Sequence, residues 1–129
     1  MADLVDPRVL AALAAELQDP AAAVTIARLY RENLERRVAR LDTACGQEDL
    51  ETAMDVTLSL KVTSATVGAL ALRSCAQRVE PSLAAGDWVS ARSAAAAVRA
   101  ATPATLGAID ALLGGPLLGA PLDRAPLAG

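Results

Sequence analysis

The chain has 129 residues, is 53% hydrophobic but only 2% aromatic, and carries a formal net charge of −3 with a pI near 4.8. That length suits one domain around one core, and the acidic balance argues against a nucleic-acid partner, which would demand clustered cations. The chain contains no histidine, so Ser-His-Asp and Cys-His nucleophile systems and histidine metal sites are excluded; neither a metal nor a cofactor is expected, and the chain does not read as an enzyme.

In chain order, the helix starts are well marked. Asp6-Pro7 and Asp19-Pro20 each place a capping carboxylate before a proline at the first helical position. The first predicts a short helix over about 7–17, and the second a long one over about 20–45. Ile26, Tyr30, Leu34, Val38, Leu41 and Cys45 recur at steps of three and four along the second, and Gly46 is its expected C-cap. Within it, RENLERRVAR (31–40) sets Arg31 against Glu35 and Glu32 against Arg36 at i,i+4, the pattern of a self-neutralising solvated face.

A third helix is expected over about 48–66, with Leu50, Met54, Thr57, Leu60, Ser64 and Val67 on its inner stripe and Gly68 as a break or a tight contact. Glu48, Asp49 and Glu51 suit its positive end, and together with Asp55 they read as a solvated N-terminus rather than a metal patch. The fourth helix, about 69–85, carries Leu70, Leu72, Cys75, Val79 and Leu83, with Pro81 kinking it or ending its regular part. Gly86-Asp87 is a stop followed by a new cap, and the last helix runs from about 87 to 113, with a break or bend expected at Pro103. Residues 114–129, rich in Gly, Pro and Leu, read as a flexible tail, so the domain proper is 1–113.

No segment alternates with the period of a strand. The expected fold is therefore all-α: an antiparallel four-helix bundle preceded by a short N-terminal helix. Cys45 and Cys75 lack CxxC spacing and are expected as reduced core fillers, and Trp88 as a packing residue at the bundle end. The first residues, with Asp3 and Asp6, do not form the basic-then-apolar pattern of an export signal, and no apolar run is long enough to span a bilayer. A cytoplasmic protein without a membrane partner is expected.

Residues 58–69, LSLKVTSATVGA, carry the most informative pattern. Leu60-Lys61, then Thr63-Ser64-Ala65 and Val67-Gly68-Ala69, resemble the signature A-H-x-L-K-G-x-[SA]-x-x-[LVI]-G-[AL] of histidine-containing phosphotransfer (HPt) domains. A short capped helix and a long one with Tyr30 and RVARL precede it, and Cys75 with Glu80 and AGD at 85–87 follow, so the resemblance spans about 4–113. It implies a four-helix bundle that relays phosphoryl groups between receiver domains. In that family an exposed histidine takes the phosphoryl group, a lysine neutralises its charge and a glycine lets the receiver approach. The corresponding positions here are Leu58, Lys61 and Val62, with Ser64 as the small residue and Gly68 as the later glycine.

Leucine has no nucleophilic atom, so the resemblance implies a degenerate member, a pseudo-HPt protein without phosphotransfer. Its implied partner is a response-regulator receiver domain or a sensor kinase. The expected contact face comprises Met54, Asp55, Leu58, Lys61, Val62 and Ala65, with Leu58 and Val62 facing outward. The alternative is a structural bundle in which that apolar face is buried, in a homodimer or beneath the leucines of the tail. Lys61 reads equally well as a functional residue and as a remnant snorkelling beside Leu58.

Overall fold

The computed structural model describes residues 4–114, which are helical throughout apart from short connections. The helices are α1 (Pro7–Leu17), α2 (Pro20–Gly46), α3 (Leu50–Val67), α4 (Leu70–Gln77), α5 (Val79–Ala84) and α6 (Trp88–Leu113). Of the expected tail, 114–129, Gly114 caps α6 and residues 115–129 lie outside the described residues. No helix among the described residues is long and apolar enough to cross a membrane.

Four aspartates start the helices by one device. Asp6, Asp19, Asp49 and Asp87 hold non-helical backbone while their carboxylates accept N–H groups of the first turn, at Arg8, Ala22, Thr52 and Ser90. Each satisfies a donor that the helix itself leaves open. At Asp49 and Asp87 these bonds hold the carboxyls below their ordinary value of 3.8; the contribution of Thr52 or Ser90 through its side chain is the largest, its backbone next. A carboxyl whose pKa is lower in the folded state stabilises the fold above its unfolded pKa, and that stabilisation is lost as pH falls through the folded value. The denaturation midpoint is therefore expected to hold steady down to about pH 5 and then decline through and below pH 4. Asp87→Asn, which keeps a capping acceptor but cannot titrate, should flatten that decline in an equilibrium unfolding series.

Three connections depart from expectation. The left-handed residue after α2 is Glu48 (φ 56), whereas Gly46 is the last helical residue. The expected fourth helix is divided at Arg78, because Pro81 has no N–H to offer the Gln77 carbonyl one turn back. Conversely, Pro103 does not end α6. Pro103 faces solvent, so the Arg99 carbonyl that it leaves without a donor lies on the wet side of the helix, while buried Thr102 returns its hydroxyl to the Val98 carbonyl at 2.9 Å.

The packing centres on α2, which lies between α3 and α6; α4 and α5 close the other side against α3 and α6, and α1 lies across the start of α2. Tyr30, Leu34, Val38, Leu41 and Cys45 of α2 are buried in one cluster with Leu60 and Val67 of α3, Leu72, Val79 and Leu83 of α4–α5, and Val98 and Ile109 of α6. Complete burial of each Leu or Ile contributes about 1.5–3 kcal/mol. Ala91 and Ala95 are fully buried on α6, and small side chains there let the helix backbones approach. A second cluster, Leu10, Ala14, Ala23 and Ala27, seats α1 on α2. Cys45 is buried, and that burial raises its thiol pKa; Cys75 is only half-buried, and both thiols are free. Trp88 packs against the core from the start of α6, partly covered.

Gly68 joins α1 to the α3–α4 corner. It caps α3 in the left-handed conformation (φ 80), and its carbonyl accepts the Asp6 N–H at 2.8 Å. Asp6 thus starts α1 with its side chain and fastens it to α3 with its backbone.

Candidate functional site

The α3 helix is buried along Ala53, Val56, Thr57, Leu60, Ser64 and Val67. Two residues expected on that inner stripe lie outside it: Leu50 is 45% and Met54 52% exposed. The smaller Ala53 and Val56 take the core positions at this end of the helix. Met54 therefore stands on the outward face with Leu58 (55%) and Val62 (56%), one residue per turn. A step of four residues advances about 40° beyond a full turn, so Leu50, Met54, Leu58 and Val62 form an apolar stripe that slants around the helix.

The other expected contact residues flank this stripe. Ala65 is half-buried, and Asp55 is exposed on the side toward α2. Lys61 is bonded to α5: its Nζ donates to Glu80 Oε2 at 2.7 Å, with its side chain 25% exposed. Neither the functional nor the remnant reading of this lysine includes that partner. As it stands, Lys61 braces α3 against α5.

On the inner side of α3, Ser64 Oγ and Tyr30 Oη are 2.9 Å apart in a buried hydrogen bond. Burial pushes the Tyr30 phenol up to about 12, against the opposing effects of the Ser64 bond and the Arg37 charge. The pair ties α2 to α3 directly beneath the outward face. A pair of this kind contributes about 1 kcal/mol, and loss of one partner leaves the other unsatisfied.

The charge pattern of α2 also differs from expectation. Neither Arg31–Glu35 nor Glu32–Arg36 forms an ion pair within 4.0 Å. Arg31 instead reaches Asp110 on α6, and the Arg36 guanidinium donates to the Asn33 amide oxygen. Glu35 turns toward α6, where it lines a cleft with Asp42, Arg99 and Pro103. Arg36, Arg37 and Arg40 are left on the α3 side of the helix, and with Asp55, Val56 and Ser59 they line a groove of about 410 Å3. These arginines were missed because the stretch 31–40 reads as self-neutralising from two i,i+4 pairs, of which only Glu32–Arg36 involves one of the three, and Arg37 and Arg40 have no glutamate at that spacing.

The site thus has two parts: an apolar stripe on α3 and a cationic groove at the stripe's α2 edge. Comparison with family models, with curated proteins and with solved structures gives no match.

Proposed function

We propose that this chain is a non-catalytic protein of the HPt type, with α2, α3, α4–α5 and α6 as the four antiparallel helices of the bundle and α1 as its short N-terminal addition. It binds a receiver domain or another two-component signalling partner through the α3 face and acts by occupying that partner rather than by carrying phosphate. The observation that carries this reading is the more-than-half exposure of Leu58 at the position where the resemblance requires a histidine. Met54 and Val62 extend it one turn in each direction, and exposed apolar side chains grouped in this way suit a contact surface. The missing imidazole removes the nucleophile, and Val62 fills the approach that a glycine would leave open.

Calorimetric titration against receiver domains, phosphorylated and unphosphorylated, tests the reading. A complex is expected, and Leu58→Glu should weaken it by about 2 kcal/mol or more, roughly thirtyfold, while leaving the helical content unchanged. No complex in either phosphorylation state would overturn the proposal. A dimer by light scattering that Leu58→Glu dissolves would assign the face to a second copy of the chain instead.

A further inference from the structure

We infer that the groove between α2 and α3 is a binding site for a phosphate monoester with an apolar substituent. The site's charge is the first ground. Arg37 and Arg40 make no hydrogen bond or ion pair, Arg36 is held only by the neutral Asn33, and Asp55 is the sole carboxylate in the groove lining. Three guanidinium groups against that one carboxylate leave the lining with two positive charges, the complement of a phosphate dianion; the Asp49 carboxylate, outside the lining, also feels the charge of Arg40. Planar guanidinium forks match the oxygens of a phosphoryl group two at a time, which a lysine cannot do. The cluster stands in a chain of net charge −3, and Glu35, the glutamate next to Arg36 in sequence, lines the cleft toward α6 instead of this groove.

The hydroxyls of α3 supply the second ground. Thr57, Thr63 and Thr66 each return their Oγ1 to the carbonyl four residues back, at 2.7–2.9 Å. Ser59 makes no such bond and keeps its hydroxyl in the groove as a donor. The third ground is the shape of the neighbouring surface. Arg37 also lines an adjoining cleft of about 170 Å3 between the same two helices, whose walls include Ile26, Leu29, Tyr30 and Val67. A phosphoryl group among the arginines would place its substituent against that apolar wall. The groove can hold such a ligand whether or not the Leu58 face binds a partner, because the two surfaces share only the Asp55 rim.

Phenyl phosphate is a suitable probe, with benzoate as the monoanionic control and the full chain labelled for 1H–15N spectroscopy. Saturable shifts are expected at the Nε–H resonances of Arg36, Arg37 and Arg40 and at the amides of Ser59 and Thr63. Affinity for phenyl phosphate should exceed that for benzoate by about tenfold, and should fall between pH 7.5 and pH 5 as the phosphoryl group, with its second pKa near 6, loses a charge. The variant R36Q/R37Q/R40Q should abolish these shifts, and the exposed single change Arg40→Gln should weaken them, whereas R73Q/R78Q on α4–α5 should leave them intact. Absence of saturation at millimolar phenyl phosphate would overturn the assignment. So would shifts of equal size in the Arg40→Gln chain, or binding of benzoate as tight as that of the phosphate.

Discussion

Alanine in place of Gly68 is expected to destabilise the fold by about 2–5 kcal/mol, read as a lower denaturant midpoint at nearly constant slope. Two independent costs add at this position. The backbone sits at φ 80, where any β-carbon is strained. A β-carbon built there would also lie 2.7 Å from the Asp6 carbonyl oxygen and 2.8 Å from Cβ of Val9. The first neighbour is backbone held by the Asp6–Gly68 hydrogen bond, and the second is at the root of its side chain, so neither can swing aside. The damage should centre on α1, whose amide protection should be lost before that of α2. Gly107→Ala is the control, since a β-carbon there meets nothing within 4 Å inside α6. That change should be neutral or should stabilise by up to about 1 kcal/mol.

Leu60→Ala is expected to cost about 2–5 kcal/mol, and Leu58→Ala less than about 0.5 kcal/mol. The two leucines are two residues apart on one helix, yet Leu60 has no exposed surface and Leu58 is 55% exposed. Truncation at Leu60 removes its transfer free energy and opens a cavity among α2, α3 and α4, where Leu34, Leu41 and Leu72 are equally inaccessible. Truncation at Leu58 removes atoms that already meet water over half their surface. Equilibrium unfolding of the two variants side by side reads the register of α3 directly. Equal costs would mean that the helix is rotated and that Leu58 belongs to the interior.

The starts of the helices were legible because capping is local chemistry. The aspartates at 6, 19 and 87 act on residues two or three positions away, and nothing distant competes for them. Asp49 caps α3 in the same way, but the start expected at about 48 placed it inside the first turn. The α2 stripe from Tyr30 to Cys45 was legible for a related reason, its large apolar residues falling on one helical face. On α3 the same logic misplaced Leu50 and Met54, because side-chain size suggested burial while the fold gave the interior to Ala53 and Val56. Alanine, equally at home inside and outside, carries little directional information in a chain this rich in it. The charges of α2 were misread because i,i+4 pairs are weak and exposed, and a carboxylate from another helix, Asp110, captures Arg31 outright. Sequence spacing does not reveal which helix will lie alongside. For the same reason the Lys61–Glu80 bond and the arginine groove emerge only once α2, α3 and α5 are assembled.

The packing of Trp88 decides which optical signals this molecule can give. It is the only tryptophan, accompanied by one tyrosine and no phenylalanine, and it lies against the core at the head of α6, outside the Leu58 stripe. Its emission therefore follows the integrity of the interior and is silent toward events on the outward side of α3. Tyr30, fixed to Ser64 in the interior, absorbs weakly and is similarly shielded. An unlabelled titration that leaves the fluorescence flat is thus uninformative about association at that face. A tryptophan introduced at the exposed Met54 would supply the missing reporter, on a side chain whose loss the core does not feel.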